Sequence, residues 1–319
     1  MNITVLGCGR WGSFHAWYAH SLGHHVTLWG RCGSARLQEL IATRKNDYLQ
    51  LPPDIRLTSD LAAALQGADI CIISISAQQL RAFTSQLKGS GNALRMPFIL
   101  AMKGLETGSG KRLSTVFEEE LGPQVPCSVW VGPGHVEDFI NGMPNCMLMA
   151  SKNKELTKML VNIFSGSLIR FYYGSDLLGV EIGAAAKNVM GIAAGMLDGV
   201  GYSSLKGALM ARGTHELACL IKAMGGNAMS VYGLSHLGDY EATLFSRHSN
   251  NRRFGEDFIS GKPFGKLAEG VYTAEALMDL SRQYDIELPI SRTVYEIVHD
   301  KKNPFDELNQ LFLRSIKKE

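Results

Sequence analysis

Lys187 stands in the middle of a run of small and apolar residues, Val180 to Asp198 (VEIGAAAKNVMGIAAGMLD). On a helix its own face is Gly183, Ala184, Met190 and Gly191, none of which can pair a charge. An ammonium so placed either snorkels to water or faces a cleft. In a cleft, desolvation lowers its pKa toward the range useful for moving a proton. A second lysine nearby, for which Lys103 is the candidate, lowers it further. Asn188 adds a polar group to the same apolar helix. The chemistry this pattern suits is general acid/base catalysis.

A second pattern binds rather than reacts. Gly7, Gly9 and Gly12 have the spacing G-x-G-x-x-G directly after the apolar run Ile3 to Leu6. Gly7 permits a tight turn, Gly9 lets a pyrophosphate approach the backbone, and Gly12 lets the next helix lie close to the strand. That helix offers unpaired N–H groups and a positive dipole end to the phosphates. A second strand, His25 to Trp29, follows and ends at Gly30 and Arg31. A strict NAD site carries Asp or Glu there, whereas arginine suits a 2′-phosphate, so NADP is favoured over NAD. A glycine turn in some other α/β fold is the plainer alternative.

A third pattern is polar. Leu237 to Gly255 holds Asp239, Thr243, Ser249, Asn250, Asn251, Arg252 and Arg253. This supply of donors suits a phosphate-bearing ligand, although a polar loop with two arginines is also an ordinary surface.

These residues need elements to position them. Ser13 to Ser21 suits a first crossover helix and Ala35 to Thr43 a second. Pro52 and Pro53 mark a loop, and Ser59 is placed to cap a helix that begins at Asp60 and runs to Leu65. Ala68 to Ser74, Phe98 to Met102 and Cys127 to Val131 read as buried parallel strands. Lys103 stands at the carboxyl end of the second of these, where open α/β sheets bind ligands. Gly104 to Lys111 (GLETGSGK) mimics a phosphate loop but fails the test. Its first glycine is out of register, and Arg112 stands where Ser or Thr should hold a metal. It reads as a loop leading into a helix through Glu120. The turn Gly132-Pro133-Gly134-His135 follows the strand at 127–131 and makes His135 a possible ligand contact. Cys146 to Ala150 and Ile169 to Tyr173 read as edge-side strands.

After Gly174 strands stop and helical patterns dominate. The expectation is an α/β chain: a Rossmann-type doubly wound parallel sheet over residues 1–174, then an all-α domain over 175–319, with a substrate cleft between them.

Composition narrows the classes. At 319 residues the chain can build two cores, and a net charge of +2 gives no broad handle on nucleic acid or membrane. Lys317 and Lys318 read as a solvated tail. Cys8, Cys32, Cys71, Cys127, Cys146 and Cys219 form no C-x-x-C pair and show no zinc-ligand spacing, the usage of a reducing compartment. No metal is expected. The first apolar run is too short for a signal peptide, and no apolar stretch reads as membrane-spanning, so a cytoplasmic protein is expected.

Taken in order, the motifs resemble the bacterial NAD(P)-dependent glycerol-3-phosphate dehydrogenases over essentially the whole chain. The markers are GCGRWG at Gly7–Gly12, VTLWGR at Val26–Arg31, KGLET at Lys103–Thr107 and GPGHVEDF at Gly132–Phe139. They continue as GVEIGAAAKNV at Gly179–Val189, RGTHE at Arg212–Glu216 and LGDYEAT at Leu237–Thr243. SNNRRFG at Ser249–Gly255 and AEGVYTA at Ala268–Ala274 complete the series. The resemblance implies reversible hydride transfer between a nicotinamide, NADP or NAD with NADPH favoured, and C2 of a three-carbon phosphate. That reaction interconverts dihydroxyacetone phosphate and sn-glycerol 3-phosphate and feeds glycerophospholipid synthesis. It implies Lys187 as general acid/base, with Lys103 and Asp239 orienting substrate and Asn188 helping. Gly132, Gly134, Thr243, Ser249, Asn250 and Asn251 complete the implied substrate side. The implied cofactor contacts are Gly7, Gly9, Arg10, Trp11, Gly12, Arg31, Lys103, Val136, Asn250, Leu267 and Glu269. A homodimer is implied too, with neither nucleic acid nor membrane insertion.

Three positions depart from the family pattern. Ser-Arg-Asn is Ser249-Asn250-Asn251 here, and Asn250 cannot form a bidentate clamp. Gly-Pro-Ser/Thr is Gly132-Pro133-Gly134, and Val-Pro-Ser is Ile75-Ser76-Ala77. The first two bear on phosphate affinity and substrate identity, with Arg252 and His135 as candidates to compensate. Two alternatives follow: a related dehydrogenase of another small polyol or hydroxyacid phosphate, and a non-catalytic dinucleotide-binding regulator. Retention of Lys187, Lys103 and Asp239 argues against the regulator.

Overall fold

The computed structural model describes residues 1–90 and 94–313, so Lys317 and Lys318 lie outside the described residues. The chain forms two compact units, one of 1–103 with 113–177 and one of 104–112 with the chain from 178 onward.

The first unit alternates strands and helices. Its first half runs β1 (Asn2–Leu6), α1 (Arg10–Ser21), β2 (His25–Trp29), α2 (Ala35–Thr43), β3 (Arg56–Thr58), α3 (Leu61–Leu65) and β4 (Ile70–Ile73). Then come α4 (Leu80–Lys88), β5 (Phe98–Leu100), α5 (Leu113–Leu121), β6 (Cys127–Val131) and α6 (Val136–Ile140). It closes with β7 (Asn145–Ala150), α7 (Lys154–Phe164) and β8 (Ile169–Gly174). The sheet order is β3-β2-β1-β4-β5-β6-β7-β8. The order reverses between β1 and β4, and that switch point is where such sheets bind ligands. All four residues of β4 are buried, as a strand covered on both faces requires.

Three details differ from the sequence reading. One pairing is antiparallel, β6 with β7, inside an otherwise parallel sheet. Strand β3 falls where only a loop is expected, because three half-exposed residues carry no readable period. Asp60, not Ser59, caps α3: its carboxylate accepts the Ala63 amide at 3.0 Å and the helix starts at Leu61. Aspartate at this position also gains from the helix dipole.

Beneath α1 the core carries an unusual polar residue. His15 is 1% exposed, and neither ring nitrogen has a hydrogen-bond partner among the described residues. The rings of Trp11, Phe14 and Trp130 pack on it. Burial, aided by the Lys103 charge, pushes its pKa down to about 3. The sign of the consequence is definite. The unfolded chain takes up this proton near pH 6.5, the folded chain only near 3, so stability is complete above 6.5 and falls as the pH falls toward 3. The slope is about 1.4 kcal/mol per pH unit for each such group. His15→Phe should therefore raise the urea midpoint at pH 7 by removing an unsatisfied polar group, an effect of about 1 kcal/mol. It should also flatten the decline between pH 6.5 and 5. Parallel urea titrations check both, and an unchanged acid slope would show that His15 is not the group responsible.

The second unit is helical among its described residues: α8 (Leu177–Gly199), α9 (Lys206–Ala223), α10 (Asn250–Ile259), α11 (Glu269–Tyr284), α12 (Pro289–Val298) and α13 (Pro304–Phe312). Contrary to the sequence reading, one stretch does reach membrane-spanning length. Helix α8 has 23 residues, and its most apolar window has a mean hydropathy of 1.3 and is 89% buried inside the protein. It is the central helix of this unit. Its glycines are contact points. A Cβ on Gly195 would lie 1.9 Å from the Arg252 carbonyl oxygen, and one on Gly255 would lie 2.1 Å from the Ile192 oxygen. Helices α8 and α10 therefore touch backbone to backbone. Asp198 locks the same crossing by accepting Lys206 Nζ at 2.6 Å and Arg252 Nε at 2.7 Å.

The P-loop mimic belongs to this unit. Leu105 and Arg112 pair as an isolated bridge, Leu105 is buried in the helical core, and Arg112 binds Glu181 of α8 at 2.6 Å. Glu216, of the RGTHE motif, caps α12. Its carboxylate accepts the amides of Ile290 at 2.8 Å and Ser291 at 3.1 Å, and the Ser291 hydroxyl at 2.6 Å.

Candidate active site

In the first unit the glycine loop leaves β1 at the switch point. Gly7 has φ of +121°, and a Cβ there would meet the Ser74 carbonyl oxygen at 2.2 Å. A Cβ on Gly12 would lie 1.7 Å from the Gly7 oxygen. Both positions exclude every other residue. Gly9 differs: the nearest neighbour of its Cβ is the tip of the Arg36 side chain at 3.4 Å. It caps α1 without a side chain, so the helix amides above it are approachable. This is a cradle a side chain would fill, and it fits a dinucleotide pyrophosphate.

The other expected cofactor contacts are placed unevenly. Arg31 is exposed just beyond β2. Trp11 packs edge-on against Phe14 and Phe139. Arg10 is paired with Glu137 and lies over the Tyr48 ring. Val136, the first residue of α6, is fully buried in the core. His135 occupies the cap position of α6. Lys103 Nζ donates to the Gly132 carbonyl at 2.6 Å. Gly134 has φ of +127°, and a Cβ there would meet the Phe139 ring at 2.6 Å. The Phe139 ring thus explains why glycine replaces the hydroxyl residue at this turn.

In the second unit the charge is paired rather than snorkelling. Lys187 is 8% exposed; its Nζ donates to Thr243 Oγ1 at 2.7 Å and lies 3.1 Å from Asp239 Oδ2. Both partners come from outside α8, which is why its own face offered none. They sit on an irregular stretch, a 3₁₀ turn at Leu237–Asp239 and a π-helical turn at Glu241–Phe245. Such wide turns recur at functional sites. Asn188 Oδ1 accepts from Asn251 Nδ2 at 3.0 Å, and Asn251 Oδ1 accepts the Gly270 amide at 2.9 Å. Glu269 and Gly270 open α11, so this chain of amides ties Asn188 to that helix start.

Two expected ligand contacts have structural duties. Ser249 caps α10, its Oγ accepting the Arg252 amide at 3.3 Å. Arg252, a candidate to compensate for the missing arginine, is engaged by Asp198 and by Glu256 at 3.1 Å. Asn250 is half-buried and reaches the Leu267 carbonyl at 3.4 Å; Leu267 itself is exposed. The residues that sequence reasoning missed are His236 and Tyr240, both buried beside Asp239. No local pattern marks His236, since its partner Gly183 is 53 residues away, and Tyr240 matters only through its hydroxyl 2.6 Å from the other ring nitrogen.

The model of the NAD-dependent glycerol-3-phosphate dehydrogenase N-terminus matches residues 2–157, and that of the C-terminus matches 176–309. The chain belongs to this dehydrogenase family. Among similar dehydrogenases, the glycerol-3-phosphate dehydrogenase [NAD(P)+] of Prosthecochloris aestuarii is 37% identical, with both chains fully covered. That of Fusobacterium nucleatum is 35% identical over all of this chain and 98% of its own. The crystal structure of glycerol-3-phosphate dehydrogenase from Coxiella burnetii superposes with a TM-score of 0.91 at 29% identity, covering 98% of this chain and 99% of that one. Membership makes the chain an oxidoreductase that uses NAD or NADP.

Proposed function

We propose that this chain catalyses the reversible interconversion of dihydroxyacetone phosphate and sn-glycerol 3-phosphate with NADP or NAD. The observation that carries the reading is the buried Lys187 ammonium held between Asp239 and Thr243 in a chain of this family. Reduction of a ketone to an alcohol needs one hydride at carbon and one proton at oxygen. A bound nicotinamide supplies or accepts the hydride. Lys187 Nζ gives its proton to the C2 oxygen on reduction and takes it back on oxidation. Asp239 and Thr243 keep that amine at one place. Lys103 and Asn188 orient the substrate, and Asn251 holds the Asn188 amide in one rotamer.

In this reading the dinucleotide domain is residues 1–103 with 113–177 and the substrate domain is 178 onward with 104–112, so the expected division at 174/175 is corrected by the segment 104–112, which packs with the helical unit. Gly7, Gly9, Gly12, Arg10 and Trp11 line the pyrophosphate side. The exposed Arg31 favours NADPH through a charge-assisted contact to the 2′-phosphate. The setting is the cytoplasm, where the six free cysteines, Cys32 exposed among them, stay reduced. The product feeds glycerophospholipid synthesis. A homodimer is part of the proposal, and the exposed Met229 and Tyr232 of the second unit offer it apolar surface.

A second reading, a different small polyol or hydroxyacid phosphate, is favoured by Asn250 and by the Phe139 ring beneath Gly134. One assay separates the two. Purified protein and NADPH are given a panel of phosphorylated ketones, with NADH in parallel. We expect oxidation of NADPH with dihydroxyacetone phosphate, faster than that of NADH at equal concentration. If dihydroxyacetone phosphate is inert and another ketone is reduced, the second reading replaces the first.

A further inference from the structure

We propose that His236 is a positioning residue: it fastens the segment carrying Asp239 to the turn of α8 that carries Lys187, and so sets where carboxylate and ammonium meet. The inference rests on reading Lys187 as the proton carrier.

His236 is completely buried. Its Nδ1 lies 2.9 Å from the Gly183 carbonyl oxygen, and its Nε2 lies 2.6 Å from the Tyr240 hydroxyl. A carbonyl only accepts, so Nδ1 carries the hydrogen. Nε2 is then the acceptor, and Tyr240 donates to it. Burial pushes the His236 pKa down to about 4, so at neutral pH the ring is uncharged and both nitrogens are satisfied. His15, equally buried, has neither nitrogen satisfied among the described residues.

The two ends of this clamp are chemically informative. Gly183 is four residues before Lys187 on α8, and in an α-helix its carbonyl also accepts the Lys187 amide. The ring is thus fastened to the carbonyl that also accepts the Lys187 amide. At the other end, the Asp239 amide donates to the His236 carbonyl at 2.9 Å, so a single turn joins clamp to carboxylate. Glycines make the room. A Cβ on Gly183 would come within 3.1 Å of His236 Cβ, and one on Gly213 of α9 within 3.3 Å of the Tyr240 oxygen. The charged or titratable groups around the clamp are Lys187 of α8, Asp239 and Tyr240 of its own segment, and Glu216 of α9. A shift of half an ångström at this clamp acts directly on the 3.1 Å spacing of Lys187 and Asp239, the tolerance within which catalytic groups must be held.

The test uses the full chain. His236→Phe removes both hydrogen bonds, His236→Asn keeps a donor for Gly183, and Tyr240→Phe removes only the hydroxyl. For each, kcat, KM for dihydroxyacetone phosphate and the pH profile of kcat are measured. The titration of the Lys187 side chain is followed by NMR in 13C-lysine-labelled protein, its signal assigned by its loss in Lys187→Met. We expect His236→Phe to lower kcat about 10–100-fold, with KM within about threefold of wild type. The Lys187 titration and the matching pH limb should move together, and His236→Asn should recover most of the loss. A merely structural role would lower thermal stability but leave both titrations in place. Unchanged titrations in folded His236→Phe overturn the proposal. If that variant does not fold, unchanged titrations in both His236→Asn and Tyr240→Phe do the same. If wild type itself does not turn over dihydroxyacetone phosphate, the assigned reaction fails, while the Lys187 titration still decides the positioning role.

Discussion

Replacing Lys187 with alanine is expected to lower turnover about 10²–10⁴-fold while NADPH binding persists, the usual size of a lost general acid/base. In the proposed reading the cofactor is held by the loop of Gly7, Gly9 and Gly12 in the first unit, so binding should not depend on this side chain. Stability will also suffer, for a separate reason. Asp239 is 1% exposed, and the substitution removes the cation 3.1 Å from its buried carboxylate. Breaking a buried pair from one side costs about 3–5 kcal/mol. The two effects are separable. The double variant Lys187→Met with Asp239→Asn removes both charges and should regain much of the stability without regaining turnover. Stopped-flow hydride transfer on the folded fraction, beside urea denaturation, checks this. Turnover near wild type in Lys187→Ala would mean that another group carries the proton.

The second large effect is expected at Gly195→Ala. Propensity alone predicts a gain, because alanine in a helix interior is better than glycine by about 1 kcal/mol. Packing predicts the reverse. The new methyl would lie 1.9 Å from the Arg252 carbonyl oxygen and 2.9 Å from the Glu256 amide nitrogen, both backbone atoms that no rotamer change can move. Helix α10 must retreat by about 1 Å, and overpacking of this kind costs about 1–3 kcal/mol or more. We expect a net loss of about 2 kcal/mol, read from the urea midpoint. Activity should fall as well, since Asn251 rides on α10 and its hydrogen bond to Asn188 would be stretched. Gly207→Ala on α9 is the control, because nothing lies within 4 Å of its Cβ, and it should lose no stability. Equal behaviour of the two variants would discount backbone contact at the α8–α10 crossing.

The glycine loop was readable because its constraints are local. Gly7 and Gly12 are forced by atoms of the same loop and the strand beside it, and their spacing records this within a few residues. Lys187 was readable as an anomaly, a charge on a helix of glycine and alanine. What that charge touches was not readable. Thr243 lies 56 residues further along the chain, and its wide turn has no sequence period. Ser249, expected as a ligand contact, also caps α10, a second use that a hydroxyl before a helix serves equally well. The same holds for Gly104–Arg112, whose polar appearance hides Leu105 in the core of the second unit.

The residues alone therefore determined the alternating sheet, the helical half that follows it, the dinucleotide cradle and the identity of the odd lysine. Each rests on period or spacing over a short span. Tertiary structure alone decided that Asp239 and Thr243 hold that lysine, that Phe139 leaves no room for a side chain at position 134, and that His236 spans from Gly183 to Tyr240. Those contacts join segments far apart in the chain. Their energies depend on how buried surfaces meet, which no stretch of neighbouring residues encodes.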